Sequence, residues 1–394
     1  MGSSILAVAT AVPEHRLEAA SALAYLRRFW PQLERLEATD AGIGSRYICE
    51  PVEKLLHARG LSELRSSYLT HARQLAGRAA SEALAEAGLR GADVDMVVSV
   101  SCTGYLVPSL DVHLAGELGL RPDVIRVPIT ELGCSGGAAA IALAHRHLLA
   151  FPDHKVLVMA VELPSLNFQP ADRSLDSLTA CLVFGDGAGV AVIGAADDAP
   201  GLRIMKTASH LVPGTQDLLG FDLRDGGFHV VLDRRLPRVL DRELRPAVER
   251  FMVGLAPPRP SPPCGEGDAK FAPPLPSLPY GEGDANLGSL DFLAAHAGGP
   301  RIFDAIESAL TLRPEALELS REVFAAVGNT SSASIFFILE RLLGSLGASA
   351  KPGHGLGLGL GPGITLELMH LAWTPSENSR NEARPIRERL PVGG

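Results

Sequence analysis

GCSGGAAAIALAHRHLLAF, residues 133–151, is the stretch whose reading decides the fold. Its glycines and alanines leave no polar face. A helix that is small or apolar on every side belongs in an interior. On either side lie VIRVPIT (124–130) and VLVMAVEL (156–163), short apolar runs that read as buried strands. Upstream, residues 66–88 carry apolar positions at helical spacing, VDMVVSVSCTG (94–104) is a strand ended by glycine, and 109–119 is helix-like. Downstream, CLVFGDGAGVAVIG (181–194) reads as two strands joined through glycines. The order strand, helix, strand, helix, strand, strand predicts an α/β domain around a central sheet.

The second half repeats that grammar. Residues 236–254 are helical and LDFLAAH (290–296) is a strand. Pro300 opens a helix over 300–311, since proline is favoured at the first helical position. VFAAVG (323–328) leads into SSASIFFILERLLGSLG, a second helix, and GITLELMHLAW (363–373) closes as a strand. Two halves with like order predict a pseudo-duplicated fold, 1–200 and 201–373. Between the shared elements, residues 255–289 are dense in proline and glycine, and APPRPSPPCGEGDAK (256–270) recurs as APPLPSLPYGEGDAN (272–286). Such a segment buries no core and reads as a surface insert. The polar tail, 374–394, reads as poorly ordered.

Composition narrows the function. Acidic residues outnumber basic ones, 45 to 36, for a formal charge of −9. That disfavours binding to nucleic acid, which depends on neutralising phosphates. No apolar run is long enough for a transmembrane helix, and the first residues lack the basic and apolar regions of a secretory leader. The 5 cysteines are odd in number and widely spread, which predicts a reduced cytoplasmic protein without a metal site.

Three polar residues stand at the junctions. Cys134 opens the small-residue helix, His296 ends a strand before Gly298-Gly299-Pro300, and Asn329 follows Gly328 ahead of Ser331-Ser332. Each reads as a strand-to-helix transition, where helix amides point outward. Taken singly, a cysteine is most often a buried thiol, a histidine a hydrogen-bonded core residue and an asparagine a cap. Together they offer a nucleophile, a base or charge partner, and a hydrogen-bond donor. A helix N-terminus and an imidazolium would both favour the Cys134 thiolate.

The segments ELGCSGGAAAI around Cys134, FGDGAGV (184–190), HAGGPRIFDAI (296–306), GNTSSAS (328–334) and GLGPGITLE (359–367) resemble those of type III polyketide synthases, the chalcone synthase-like enzymes, in the same order. The resemblance runs from about Ile5 to Trp373, apart from the insert. It implies a thiolase-like five-layer αβαβα fold, an α/β fold of two pseudo-duplicated halves, working as a homodimer. It implies Cys134 as nucleophile with His296 and Asn329 as catalytic partners. Phe184 and Phe228 match the two phenylalanines between CoA tunnel and cavity. Cys102, Thr103, Gly220 and Ser331 fall where the cavity is shaped, and Val107 where a residue reaches into the partner's cavity. The implied reaction condenses malonyl-CoA, after decarboxylation, onto an acyl-CoA starter held on the cysteine. It uses no cofactor beyond the CoA thioesters themselves. Cys102 in SCTG looks like bacterial members that use malonyl units. Basic residues that hold CoA phosphates in plant members fall near 40–50, where DAGIGSRYICE offers only Arg46. A β-ketoacyl-ACP synthase III-like enzyme shares part of the pattern. It would need a basic patch for its carrier and malonyl-ACP as substrate. A non-catalytic acyl-binding subunit of the same fold would be expected to have lost the nucleophile.

Overall fold

The computed structural model describes residues 2–30, 33, 42–57, 59–196, 201–224, 227–253, 287, 290–296, 298–347 and 351–375. Most of the repeat insert and of the tail therefore lie outside the described residues.

The first half runs β1 (Ser3–Ala11), β2 (His15–Glu18), α1 (Ala19–Arg27), β3 (Ser45–Ile48), α2 (Val52–Leu55), α3 (Leu61–Glu86), β4 (Met96–Val100), α4 (Leu110–Leu118), β5 (Ile125–Ile129), α5 (Gly136–Ala150), β6 (Val156–Glu162), α6 (Leu175–Val183) and β7 (Gly187–Ala195). The second runs β8 (Gly201–Leu211), β9 (Leu219–Arg224), β10 (Gly227–Leu232), α7 (Leu236–Val253), β11 (Phe292–Ala295), α8 (Pro300–Leu310), α9 (Glu318–Val327), α10 (Ser334–Gly347), β12 (Gly353–Gly361) and β13 (Thr365–Thr374).

The strand order is β11-β12-β13-β8-β1-β7-β6-β4-β5. It is two half-sheets of one topology. In the first, β1 is antiparallel to β7, β7 to β6, and β6 is parallel to β4. In the second, β8 is antiparallel to β13, β13 to β12, and β12 is parallel to β11. Among the described residues the two half-sheets pair where Ser3–Ile5 meets Leu202–Ile204.

Side-chain alternation sorts the core into layers. On β6, Val156, Val158 and Ala160 face a central core with α5 and α10, while Leu157, Met159 and Val161 face an outer core with α3 and α4. On β12, Leu356, Leu358 and Leu360 face the other outer core, formed with α7 and α8. The result is the five-layer αβαβα arrangement, with α5 and α10 in the middle. Ala138, Ala140, Ile141 and Ala144 of α5 lie with Ile335, Phe336 and Leu339 of α10 there. Small residues make that fit possible. A Cβ on Gly137 would lie 2.1 Å from the carbonyl oxygen of Ser332, and one on Gly359 only 2.6 Å from Cβ of Ala138.

The structure corrects the sequence reading in three places. Residues 181–183 are the last turn of α6, so the 181–194 segment contains one strand, β7. VFAAV is the end of helix α9, so Asn329 lies between two helices. Gly353–Gly361, of which the sequence reading covers only the last residues, in GLGPGITLE (359–367), is the strand β12. Propensity disfavours glycine in strands. Here each alternate glycine replaces a side chain that α5 or a neighbouring strand would exclude, and the leucines between supply the apolar face.

Candidate active site

The layers bring two helix starts together. Cys134 sits in a short 3-10 turn, Gly133–Ser135, that runs directly into α5. Asn329 and Ser331 lie at the equivalent 3-10 turn, Ser331–Ala333, ahead of α10. Across this junction the Ser331 hydroxyl lies 3.3 Å from the Cys134 sulfur and 3.3 Å from the Cys102 sulfur.

Ser331 also orients Asn329. Its backbone N–H donates to Asn329 Oδ1 at 2.8 Å. With Oδ1 occupied, the amide nitrogen is the end left to donate, and the Asn329 side chain works against the rise of the Cys134 thiol. The Asn329 backbone is pinned as well, its N–H donating to Val183 O at 2.7 Å and its carbonyl accepting from Gly185 N at 3.0 Å. Ser331 has φ +51°. That left-handed backbone costs a non-glycine residue about 1–2 kcal/mol. Such strain at a buried site is characteristic of functional positions.

His296 follows β11, and its backbone N–H donates to Leu358 O at 2.8 Å. Leu358 adjoins Gly359, which packs on Ser135 and Ala138 in the first turns behind Cys134. His296 is 3% exposed, and its Nε2 is buried with no hydrogen-bond partner among the described residues. An unpaired buried donor or acceptor costs roughly 1–3 kcal/mol, so its retention needs a reason. A ligand at this atom supplies one. Gly298, two residues on, lies near Asn329, with its Cβ position 3.8 Å from Nδ2.

Burial sets the resting charges. It pushes the Cys134 thiol up to about 11; the Ser331 hydroxyl works against the rise and the Glu162 charge adds to it. It pushes His296 down to about 4. Burial thus opposes the thiolate that the helix end favours, and it opposes an imidazolium at His296 as well.

Glu162 is the residue the sequence reading missed. It ends β6, is fully buried and carries a carboxyl raised by that burial. It accepts from Cys102 N at 3.1 Å, Thr103 N at 3.1 Å, Thr103 Oγ1 at 2.6 Å and the Ser332 hydroxyl. One carboxyl thus ties the loop after β4 to the start of α10. Its sequence signal was a lone acid closing the apolar run VLVMAVE. Asp186 of the GDGAG segment does similar work nearby, accepting from Cys49 N at 2.7 Å and Ser165 N at 2.9 Å.

The other candidates are spread between this centre, a neighbouring cavity and the surface. Cys102 touches Ser331, while Thr103 is committed to the Glu162 network. Phe184 follows α6 and pairs with Asn329 in an isolated β-bridge. Phe228 on β10 stacks edge-on against Phe221, with ring centroids 5.9 Å apart. Phe184, Phe221 and Phe228 line one cavity with Leu17, Tyr25 and Cys181. Gly220 faces Pro362, which also abuts Gly133 beside the nucleophile. Val107 is 73% exposed. Arg46 is buried, at 5% exposure, and donates to the Leu182 carbonyl. Burial lowers it to about 10. It is a strut within the fold rather than an open phosphate ligand.

A thiol, a partnerless imidazole and an oriented amide, set where two duplicated halves meet, define a thiolase-like condensing enzyme. Residues 56–197 match the family described as chalcone and stilbene synthases, N-terminal domain, and residues 279–374 match its C-terminal domain. The 1,3,6,8-tetrahydroxynaphthalene synthase of Streptomyces griseus is 32% identical over 96% of this chain and 95% of that protein. The phloroglucinol synthase of Pseudomonas fluorescens is 30% identical over 84% of this chain and 86% of that protein. The crystal structure of the tetrahydroxynaphthalene synthase from Streptomyces coelicolor, a bacterial type III polyketide synthase, superposes with a TM-score of 0.83. It is 31% identical and covers 95% of this chain and 100% of its own. The chain belongs to this family: it is a type III polyketide synthase of the bacterial type, an enzyme of carbon–carbon bond-forming condensation. Among the described residues no helix is long and apolar enough to cross a membrane.

Proposed function

We propose that this enzyme condenses malonyl-CoA iteratively onto an acyl-CoA starter held as a thioester on Cys134, then cyclises the chain to an aromatic or pyrone product. The observations that carry the reading are the buried Nε2 of His296, which has no hydrogen-bond partner among the described residues, and the Asn329 amide, whose oxygen is already engaged. As the Cys134 sulfur attacks the starter thioester, its proton passes to His296 Nε2 and CoA leaves. Malonyl-CoA then enters and loses carbon dioxide. The electron pair moves onto the thioester oxygen, where His296 Nε2–H and Asn329 Nδ2–H donate to the enolate. The enolate carbon attacks the acyl carbonyl, the bond to sulfur breaks, and Cys134 regains its proton from His296. The malonyl group brings its own leaving group, so no metal or prosthetic group is required. The apolar cavity between Phe184 and Phe228 would shield the enolate from water.

The assembly we propose is a homodimer. β5 is an edge strand, and Ile125, Leu132, Tyr105 and Val107 stand exposed around it, at 43%, 38%, 67% and 73%. An open edge flanked by apolar side chains invites a second copy. The unpaired thiols of Cys49, Cys102, Cys134 and Cys181 suit a reducing cytoplasm.

The test is product analysis by mass spectrometry with malonyl-CoA and a panel of acyl-CoA starters. Cys134→Ala should give no condensation product while still releasing some carbon dioxide. Asn329→Ala should slow decarboxylation by about 10²–10³, the range for losing one oxyanion donor. Full polyketide output from Cys134→Ala would overturn the mechanism.

A further inference from the structure

The hairpin of β9 and β10 stands apart from the central sheet, its two strands pairing only with each other. A two-stranded hairpin is marginal by itself, so its position depends on outside contacts. At the open end of the hairpin Leu219 O accepts from Gly363 N at 3.2 Å, and its register partner Leu232 donates from N to Asp176 Oδ2 at 3.0 Å. A second contact lies nearer the turn, where His229 Nδ1 is 2.8 Å from Asp172 Oδ2.

The second contact joins two segments that matter. His229 directly follows Phe228. Asp172 Oδ1 accepts from Ser174 N at 2.9 Å, and the Ser174 hydroxyl caps α6 by accepting from Ser177 N at 3.1 Å. Helix α6 then delivers Phe184, which bridges to Asn329. One continuous run of contacts thus links Phe228 to Phe184. His229 and Asp172 line the same cavity as both phenylalanines. They form a hydrogen-bonded polar contact in a wall dominated by apolar groups, and each is under 15% exposed.

We propose that His229 is a positioning residue of the reaction: its bond to Asp172 holds Phe228 opposite Phe184 and so limits the water that reaches the acyl thioester on Cys134. The inference rests on the functional reading above. A broken pair frees the hairpin on its cavity side, and water then hydrolyses chains before they cyclise: the thioester C–S bond breaks, water supplies the hydroxyl of the acid, and its proton returns to Cys134.

The experiment measures, by mass spectrometry, the ratio of linear hydrolysed acids to cyclised product per carbon dioxide released from malonyl-CoA. In His229→Ala and Asp172→Ala that ratio should rise about tenfold, the factor carried by loss of one charge-assisted hydrogen bond. His229→Asn, whose amide N–H can donate to the same carboxylate, should restore the wild-type ratio. His229→Ala combined with Asp172→Ala should leak no more than either alone. Thermal melts exclude unfolded variants, and should Asp172→Ala not fold, the folded His229→Ala and His229→Asn carry the test. An unchanged ratio in a folded His229→Ala, or a His229→Asn as leaky as the alanine variant, would overturn the proposal. A wild-type chain that releases no carbon dioxide from malonyl-CoA would instead overturn the underlying reading.

Discussion

The substitution Gly133→Ala tests how the nucleophile is held. Gly133 has φ +53°, and a Cβ there would lie 2.5 Å from Cγ and 2.6 Å from Cδ of Pro362. Two costs follow. The left-handed backbone costs alanine about 1–2 kcal/mol. Overpacking against a closed ring costs a further 1–3 kcal/mol or so. The sum is roughly 2–5 kcal/mol. Relief needs a shift of about 0.9 Å to reach ordinary contact at 3.4 Å. The Gly361–Gly363 turn resists that shift, because Gly363 N is bonded to Leu219 O and its carbonyl accepts from Thr215 Oγ1 at 2.8 Å. The 3-10 turn carrying Cys134 must move instead.

A displacement near 1 Å costs on the order of 10²-fold in rate. Gly133→Ala should therefore melt about 4–20 °C lower, at roughly 2–4 °C per kcal/mol. Its turnover should also fall about a hundredfold in a coupled assay of CoA release. Gly116→Ala is the control. It lies inside α4, and nothing stands within 4 Å of the added methyl. It should gain up to about 1 kcal/mol from helix propensity and keep full activity. Wild-type melting and turnover in Gly133→Ala would refute the reasoning, as would equal losses in both variants.

Two further outcomes follow from buried charge. His145, His296 and His370 are each pushed down to about 4 by burial. In the unfolded chain each returns to its ordinary value near 6.5, so between these values the unfolded state binds more protons. Stability is full above 6.5 and is lost as pH falls toward 4, by roughly 3 kcal/mol for each group. Denaturant midpoints across this window should fall with pH, and His145→Gln should flatten the slope; an identical slope in that variant counts against the account. Glu162→Gln removes a charge that raises Cys134 and leaves the backbone donors of Cys102 and Thr103 short of an acceptor. The pH midpoint of Cys134 alkylation should drop and the melting temperature should fall by the equivalent of about 1–3 kcal/mol. An unmoved alkylation profile would show that Glu162 does not act on the thiol.

The parts of this fold legible in the sequence were those with one dominant signal. The all-small helix 133–151 could only be central, and β4, β5, β6 and β11 announced themselves as apolar runs. β12 did not, because glycine at every second position hides a period-two strand behind poor propensity. The reason for those glycines, close approach to Ala138 and Ser135, lies more than two hundred residues away. The β9–β10 hairpin had a local cue in Asp225-Gly226-Gly227, a turn pattern between alternating residues. The partnership of His229 with Asp172 had none. It spans 57 residues and exists only once α6 is packed against the hairpin. Long-range polar contacts of this kind leave no periodicity to read.

The site itself follows from the duplication. α5 and α10 begin alike, each after a three-residue 3-10 turn, and each precedes the strand that runs parallel beside β4 or β11. The loop after β4 carries Cys102 and Thr103; its counterpart after β11 carries His296. In a symmetric ancestor both helix starts and both loops would present the same groups, and one half would suffice to carry them. Here the first half keeps the sulfur and the carboxyl of Glu162, and the second keeps the imidazole and the amide. In the proposed reaction the sulfur that holds the acyl chain and the donors to the enolate oxygen therefore come from opposite halves and meet across the α5–α10 contact. Packing at Gly137 against Ser332 is then part of the chemistry, since any residue that separates the two helices separates nucleophile from oxyanion donor. The nearly apolar α5 helix that opened the reading is small on every side because both sheets and α10 must approach it that closely.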